Sequence, residues 1–493
     1  MERATQLLKN DGQFALLTQG TYLDKEWAKG LRELLATKTQ IKSIVDLNPF
    51  GQLFFNAMNS PCITASVNTG HAVDGYCIAI VSQSPRDFRE LKKNERRQKV
   101  VATVRGVLDE LSKTKNSENL FASGTHIKRA RLRETAGDRW DLSGGADAIK
   151  FHSDWHTAAE LLEMRQGVTP GGFLEIFLLD EKRVKLLELE DALVQDAIKS
   201  KQLERWRVEW NDLKLFYPYH MRGDKSEPAF TIPWEDIKDQ KLKNRLIDIS
   251  IEDALDFEHQ IDGRETDIVS KAGINRESVK QLLRRRIALG LVKYPKSAAY
   301  LVSNYEKLQG RIFEKKKFTQ LGKRLYEYHR PRDPHIMLTK PRILSPTLIR
   351  EVRFALDKHG YLSDHACLMI QPTDATSTNW AGFSAAASKV VGQKLSKIQL
   401  LRYCLAFLNS QYSQKRLVTG HRPTPKGSYA ITEAFLNEIP IPTSRAKKLT
   451  LSIIDLVREL EREEFKLTGS DEVEQLERKL AALVEEALAP VHA

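Results

Sequence analysis

The chain has 493 residues, 29% charged and 41% hydrophobic, the balance of an ordinary soluble globular protein with room for two to four domains. Lys and Arg number 77 against 65 acids, giving a formal charge of +12 and a pI of about 9.3. That excess favours a polyanionic partner, because Lys and Arg displace counterions from phosphates. Four cysteines (Cys62, Cys77, Cys367, Cys404) lack the close spacing of a zinc site or a disulfide framework. No stretch approaches the ~18–20 apolar residues of a membrane span, and the start MERATQLLKNDGQ has no signal-peptide layout. These features place the chain in a reducing cytoplasm, with no membrane partner.

Along the chain, residues 1–85 read as alternating α and β. Arg3–Lys9 is a predicted helix, Asn10-Asp11-Gly12 a turn and Gln13–Gln19 a buried strand. Asp24–Thr37 has helical spacing, with Trp27, Leu31, Leu34 and Leu35 on one face, and Ile41–Leu47 is again strand-like. Short apolar runs at Cys62–Val67 and Cys77–Val81 follow, broken by Pro61, Gly70 and Gly75. Strand, helix, strand and hairpin make the close of a mostly parallel sheet, whose faces one crossover cannot cover, so a further N-terminal portion is expected.

Residues 86–150 open with the basic run RDFRELKKNERRQKVVATVR and are expected to be a linker. Residues 151–445 mix short strands, aromatics and loops. Over 446–493 two helices, Ala446–Lys466 and Asp471–Ala489, form a predicted hairpin. From 455 to the end there are 11 acids against 5 bases, so the hairpin is expected to serve packing or a partner contact rather than phosphate.

Three stretches bear on chemistry. Asp46-Leu47-Asn48-Pro49-Phe50 superficially matches the Asn/Asp-Pro-Pro-aromatic step of amino-group DNA methyltransferases. It has one Pro where two are needed, and reads as a turn beside a strand. Within 240–302, TDIVSKAGINRESVKQLLRRRI (266–287) fits a helix-turn-helix, with Ile268, Ala272, Ile274, Val279 and Leu282 packed inside. Its second helix would present Arg276, Ser278, Gln281, Arg284 and Arg285 to a major groove, with Ala288–Tyr294 and Ala298–Val302 as strands of a wing. An ordinary amphipathic helix pair fits the same spacing. The stretch 311–353 carries 12 Lys/Arg against 4 acids, with Phe313, Phe318, Tyr326 and Tyr328 interleaved, and suits a surface that tracks a nucleic-acid backbone. Glu314-Lys315-Lys316 lacks the companion Asp of a nuclease site.

Several of these stretches resemble one family. Residues 1–65, with Leu16-Leu17-Thr18-Gln19-Gly20 and Ile44-Val45-Asp46, resemble the segment just after the catalytic motif of adenine-specific DNA methyltransferases. Arg165-Gln166-Gly167-Val168-Thr169-Pro170-Gly171-Gly172, leading into Ile176-Phe177-Leu178, resembles the opening of the TaqI-like specificity domain. Phe216-Tyr217-Pro218-Tyr219 resembles that domain's aromatic-Pro-Tyr step, and Tyr294-Pro295 through Leu308-Gln309-Gly310-Arg311 its Pro-x-x-x-x-Tyr-Leu helix. His329-Arg330-Pro331, Lys340-Pro341-Arg342-Ile343-Leu344, Leu405–Ser410 and Phe435–Pro442 resemble the later specificity region of type IIG restriction–modification enzymes and related phage-defence methyltransferases.

The resemblance implies an α/β N-terminal remnant of a Rossmann-like methyltransferase sheet (1–85), then an α+β target-recognition domain with a candidate helix-turn-helix, ending in a helical hairpin. It implies double-stranded DNA as partner, together with a methyltransferase catalytic chain or another defence-system subunit. S-adenosylmethionine is implied for the complete enzyme, while no cofactor and no catalytic residue is expected on this chain. Beside the five helix residues, Arg330, Arg332, Lys340 and Arg342 are expected at phosphate and Thr169 near the DNA. The alternative is a non-enzymatic DNA-binding adaptor derived from such an enzyme.

Overall fold

A computed structural model of the chain describes residues 1–23, 26–46, 61–71, 77–82, 119–122, 125–130, 155–222, 225–229, 294–313, 315–321, 326–373, 378–421, 427–443, 446–462 and 470–489, with 94–95, 98, 101–102, 105, 140, 323 and 424. They form two compact units. The first comprises Met1–Ala159, Leu348–Val352 and Phe407–Pro442, and the second Glu160–Thr347, Arg353–Ala406 and Thr443–Ala493.

The first unit is built on a six-stranded sheet. After helix α1 (Glu2–Leu7) come β1 (Gln13–Gln19), helix α2 (Lys29–Lys38), β2 (Thr39–Asp46), β3 (Pro61–Asn68), β4 (Cys77–Ser82), β5 (Asn119–Ala122) and β6 (Thr125–Ala130). The order across the sheet is β1-β3-β2-β4-β6-β5. Strand β3 lies antiparallel between β1 and β2, so those two run parallel, joined by the α2 crossover, and β2 also runs parallel to β4. Side chains of α2 and the sheet enclose Leu35, Ala36, Ile41, Ile44 and Cys62, with Tyr22, Leu23 and Trp140. Arg32 is buried among them and donates Nη1 to Tyr22 O at 2.9 Å, while Tyr22 Oη lies 2.6 Å from Thr64 Oγ1.

Two expectations are corrected here. Asn119–Ala122 and Thr125–Ala130, assigned to the linker 86–150, are strands of this sheet: β6 pairs antiparallel with β4 and with β5. The outer edge of β4 carries backbone groups that need partners, and the β5–β6 hairpin supplies them. Trp27, placed on the apolar helix face, is 72% exposed, because it sits in a short turn (Glu26–Ala28) before α2 begins.

In the second unit, two four-stranded sheets share one core. One sheet runs Ala355–Asp357, Arg342–Pro346, Cys367–Pro372, Leu162–Gln166, all antiparallel. The other runs Leu362–Ser363, Val194–Ile198, Leu213–Phe216, Leu178–Asp180. The core gathers aliphatic residues such as Leu193, Ile198 and Leu344 with a group of rings: Phe177, Phe216, Tyr217, Tyr219, Tyr300, Tyr326 and Tyr328. Burying a tyrosine without satisfying its hydroxyl would be costly. Tyr300 Oη donates to Ile176 O at 2.9 Å, Tyr328 Oη to Phe216 O at 2.5 Å, and Tyr328 N–H to Tyr219 Oη.

Helix α3 (Pro295–Ser303) occupies Ala298–Val302, which the sequence reading made a wing strand. The helix wins because both ends of its first turn are provided for. Pro295 has no N–H to leave unpaired, and the Glu190 carboxylate accepts from Lys296 N and Ser297 N, each at 2.9 Å, and from Ser297 Oγ. The two helices of the predicted helix-turn-helix, 266–287, lie outside the described residues.

The C-terminal hairpin is present as α4 (Lys447–Leu460) and α5 (Ser470–Leu488). Ile453, Ile454, Val457, Leu480, Val484 and Ala487 are buried. Glu477 of α5 accepts from Trp206 Nε1 at 2.7 Å and pairs with Arg205 at 3.1 Å, so this acidic helix packs onto its own unit. Among the described residues no helix is long and apolar enough to cross a membrane.

Candidate nucleic-acid interface

The second unit brings three stretches of sequence to one place: the loop 167–173, the segment 311–318 and the segment 328–332. The loop is forced close to its neighbours by its glycines. A Cβ on Gly167 would lie 2.2 Å from Ser363 O and 2.3 Å from Asp364 O, so no other residue fits. Gly171 has φ +86°, and a Cβ there would meet Phe318 Cζ at 2.5 Å and His329 Cβ at 3.2 Å. Thr169 N donates to Arg330 O at 2.9 Å and Arg330 N returns the bond to Thr169 O at 3.1 Å, while His329 N donates to Pro170 O at 3.3 Å.

Beneath the loop lies Arg311. Its guanidinium is buried, donates Nε to Gly171 O at 3.2 Å and Nη2 to Pro170 O, and lies 3.8 Å from the Phe318 ring centroid and 5.1 Å from that of Phe177. Burial pushes its pKa down to about 10. A guanidinium keeps its proton in proteins, so the shift measures a desolvation cost that the two carbonyls and two rings offset.

From Arg311 the chain enters a small hairpin, Ile312–Phe313 paired with Lys316–Lys317. Phe313 stacks on His329 at a centroid distance of 3.5 Å and an interplanar angle of 24°, which ties the hairpin to the 328–332 segment. Lys315, at φ +67°, Lys316 and Lys317 are exposed, as are Arg330, Lys340 and Arg165. Among the described residues, Lys315, Lys316, Lys317, Arg330 and Lys340 have no ion-pair partner within 4 Å; Arg165 pairs with Glu163 at 3.2 Å.

The sequence-predicted residues divide sharply. Thr169 and Arg330 come together through their main chains. Arg332 joins them in a left-handed conformation (φ +71°), its Nε donating to Gly167 O at 3.1 Å. Half-burial first, and then the nearby Arg330 charge, lower its pKa. Lys340 is exposed on the stretch before the Arg342–Pro346 strand.

Arg342 is a correction. It is fully buried, and its Nε meets Asp357 Oδ2 at 3.1 Å. Nη1 donates to Ile336 O and Met337 O at 2.9 and 3.1 Å, and Nη2 to Tyr361 O at 2.6 Å. With every face of the guanidinium engaged inside the protein, Arg342 has nothing to offer a phosphate. The interleaved aromatics are corrected likewise: Phe318, Tyr326 and Tyr328 are core residues, so they are no platform for stacked bases. Arg276, Ser278, Gln281, Arg284 and Arg285 lie outside the described residues.

The structure also adds residues that were not singled out. Lys315, Lys316 and Lys317 lay in plain view inside the basic stretch. Arg311 as a buried support was not legible locally, since its partners are the carbonyls of Pro170 and Gly171 and the rings of Phe177 and Phe318.

No family model matches the chain, and neither does any curated protein. Among solved structures it is similar to the type IIL restriction-modification enzyme MmeI in complex with DNA, with 10% identity and a TM-score of 0.43 over 100% of this chain and 49% of that one. It is similar to the type IIG restriction endonuclease BpuSI, with 12% identity and a TM-score of 0.32 over 99% of this chain and 48% of that one. The type ISP restriction-modification enzyme LlaBIII bound to DNA gives 11% identity and a TM-score of 0.38, over 93% of this chain and 25% of that one. The chain thus spans about half or less of the length of these proteins.

Proposed function

We propose that this chain is the DNA-recognition part of an adenine-specific DNA methyltransferase of a restriction–modification or phage-defence system. The observation that carries the reading is the set of exposed cations, Lys315, Lys316, Lys317 and Arg330, displayed around a loop fixed from below by Arg311, with Lys340 exposed on the stretch before the Arg342–Pro346 strand. Cations with no ion-pair partner among the described residues suit a phosphate backbone, and they position a protein on its duplex rather than read sequence. Sequence reading falls, in this proposal, to Arg276, Ser278, Gln281, Arg284 and Arg285, with Thr169 and its loop beside the DNA.

The β1–α2–β2 crossover, with β3 inserted between the two parallel strands, supports the reading of the first unit as the close of a larger α/β sheet. Strand β1 ends that sheet among the described residues, and its side chains alternate between exposed and half-buried. A separate catalytic chain is the partner proposed for it, carrying the Gly-rich and Asn-Pro-Pro-aromatic motifs and binding S-adenosylmethionine, all in the cytoplasm.

Binding to a mixed-sequence DNA duplex over a range of salt concentrations tests the first half of the proposal. A steep inverse dependence of log affinity on log salt is expected, and a flat one overturns it. Mixing the chain with a methyltransferase core encoded beside it tests the second half. Transfer of methyl groups to adenine only by the mixture is expected; full activity of the core alone sinks the split-enzyme reading in favour of the adaptor.

A further inference from the structure

Phe173 ends the Gly171-Gly172 loop in a left-handed conformation (φ +45°, ψ +53°) while 37% exposed. Each property alone is unremarked in a protein; together they call for a cause. A bulky side chain in the left-handed region is strained, and strain of that kind clusters at functional sites. The ring has an interior available nearby, since its neighbours Leu174, Ile176 and Phe177 all pack against the core. The backbone instead leaves part of Phe173 in solvent.

The loop bearing Phe173 is held rigidly. Arg311 donates to the carbonyls of Pro170 and Gly171, and Thr169 and Pro170 pair with Arg330 and His329. Gly171, two residues from Phe173, abuts Phe318 and His329, and His329 carries the stacked ring of the lysine hairpin. Phe173 thus lies two residues beyond a segment held on the same construction as Lys315, Lys316, Lys317 and Arg330. A protein or lipid partner would have to tolerate that positive surround, whereas duplex DNA offers phosphates to the cations and apolar base faces to the ring.

We propose that Phe173 makes an apolar contact with the bases of a bound duplex, entering between neighbouring base pairs as a wedge while the surrounding cations hold the backbone. The contact rests on the DNA-recognition reading above. It adds to that reading a part of the affinity that salt does not screen and a local loss of base stacking.

The test uses the full chain and a duplex that it enriches from a randomised pool, resynthesised with 2-aminopurine at successive adenines. Wild type is expected to raise 2-aminopurine fluorescence at one step. Phe173→Ala is expected to abolish that rise and to weaken binding about five-fold or more when extrapolated along the log–log line to about 1 M salt, with the salt slope unchanged. Phe173→Gly, which relieves the left-handed backbone, is expected to melt at a higher temperature than Phe173→Ala and to show the same binding defect. Phe173→Leu is expected to retain part of both signals. Equal extrapolated affinities for wild type and the Gly variant, or no fluorescence rise with wild type, overturn the wedge while leaving DNA recognition standing. Failure of wild type to bind or enrich any duplex overturns both.

Discussion

Thr169 and Arg330 exchange both of their backbone hydrogen bonds, at 2.9 and 3.1 Å, although 161 residues separate them in the chain. Their side chains are thereby placed by main-chain geometry, and among the described residues Arg330 has no acid within 4 Å. The same segment is tied down by Arg332 Nε on Gly167 O and by Tyr217 Oη, which lies 3.0 Å from Pro331 O and 2.9 Å from Ser226 Oγ. A surface cation on so fixed a backbone loses little entropy when it meets a phosphate.

Lys340 and Arg342, two residues apart, are expected to behave oppositely. Lys340→Ala should leave the urea midpoint unchanged and lower the slope of log affinity against log salt by about one. Arg342→Met should leave Asp357 buried beside an apolar chain and cost about 3–5 kcal/mol in urea unfolding. At salt where the protein remains folded, its DNA-binding slope should match wild type. A slope change in Arg342→Met without destabilisation would contradict the buried pair.

The contrast shows where the sequence was readable. The Val457/Leu460/Leu480/Val484 faces of the last two helices declare themselves through local periodicity, and the structure places those helices within a few residues of expectation. Gln13–Gln19 is a strand with the expected bounds, but it alternates between exposed and half-buried at the end of its sheet rather than being buried as expected. Arg342 looks no different from Lys340 in a charged run. Its fate depends on Asp357, fifteen residues on and brought alongside by strand pairing, which no periodicity encodes. The hairpin 119–130 escaped for a related reason: its charges and His126 mask a strand whose need is set by the open edge of β4. For the interface, the basic stretch was legible as a whole, but which cations reach the surface was not.

Glu190 acts at a distance of 106 residues as the cap of α3. Glu190→Ala should therefore cost about 1–2 kcal/mol and raise amide hydrogen exchange in Pro295–Ser303 ahead of the rest of the unit. Glu190→Gln keeps an acceptor and should fall between the two. Uniform loss of protection throughout the unit would argue that Glu190 serves the whole fold rather than that helix.

The tyrosine core predicts a weakness at alkaline pH. Burial pushes Tyr217 and Tyr300 up to about 12 from an ordinary 10, and Tyr219 and Tyr328 well above it. Above pH 10 the unfolded chain loses these protons first, so the folded state binds more protons and stability falls as pH rises from about 10 toward 12. A two-unit shift corresponds to about 3 kcal/mol for Tyr217, and to less for the more exposed Tyr300. Tyrosinate absorbance should appear for these rings together with loss of structure. Their ionisation near pH 10 in a still-folded protein would refute the burial of these rings.

The position of β3 between β1 and β2 has a consequence for how the chain is made. As a ribosome delivers the N-terminal strands, β1 and β2 emerge first, yet neither touches the other in the finished sheet. Both wait for residues 61–68, which pair with β1 across a gap of some fifty residues and with β2 across a shorter one. The nascent chain therefore carries two apolar ribbons with open edges until the third arrives to zip them together, and the exposed Leu17 side of β1 is on view throughout.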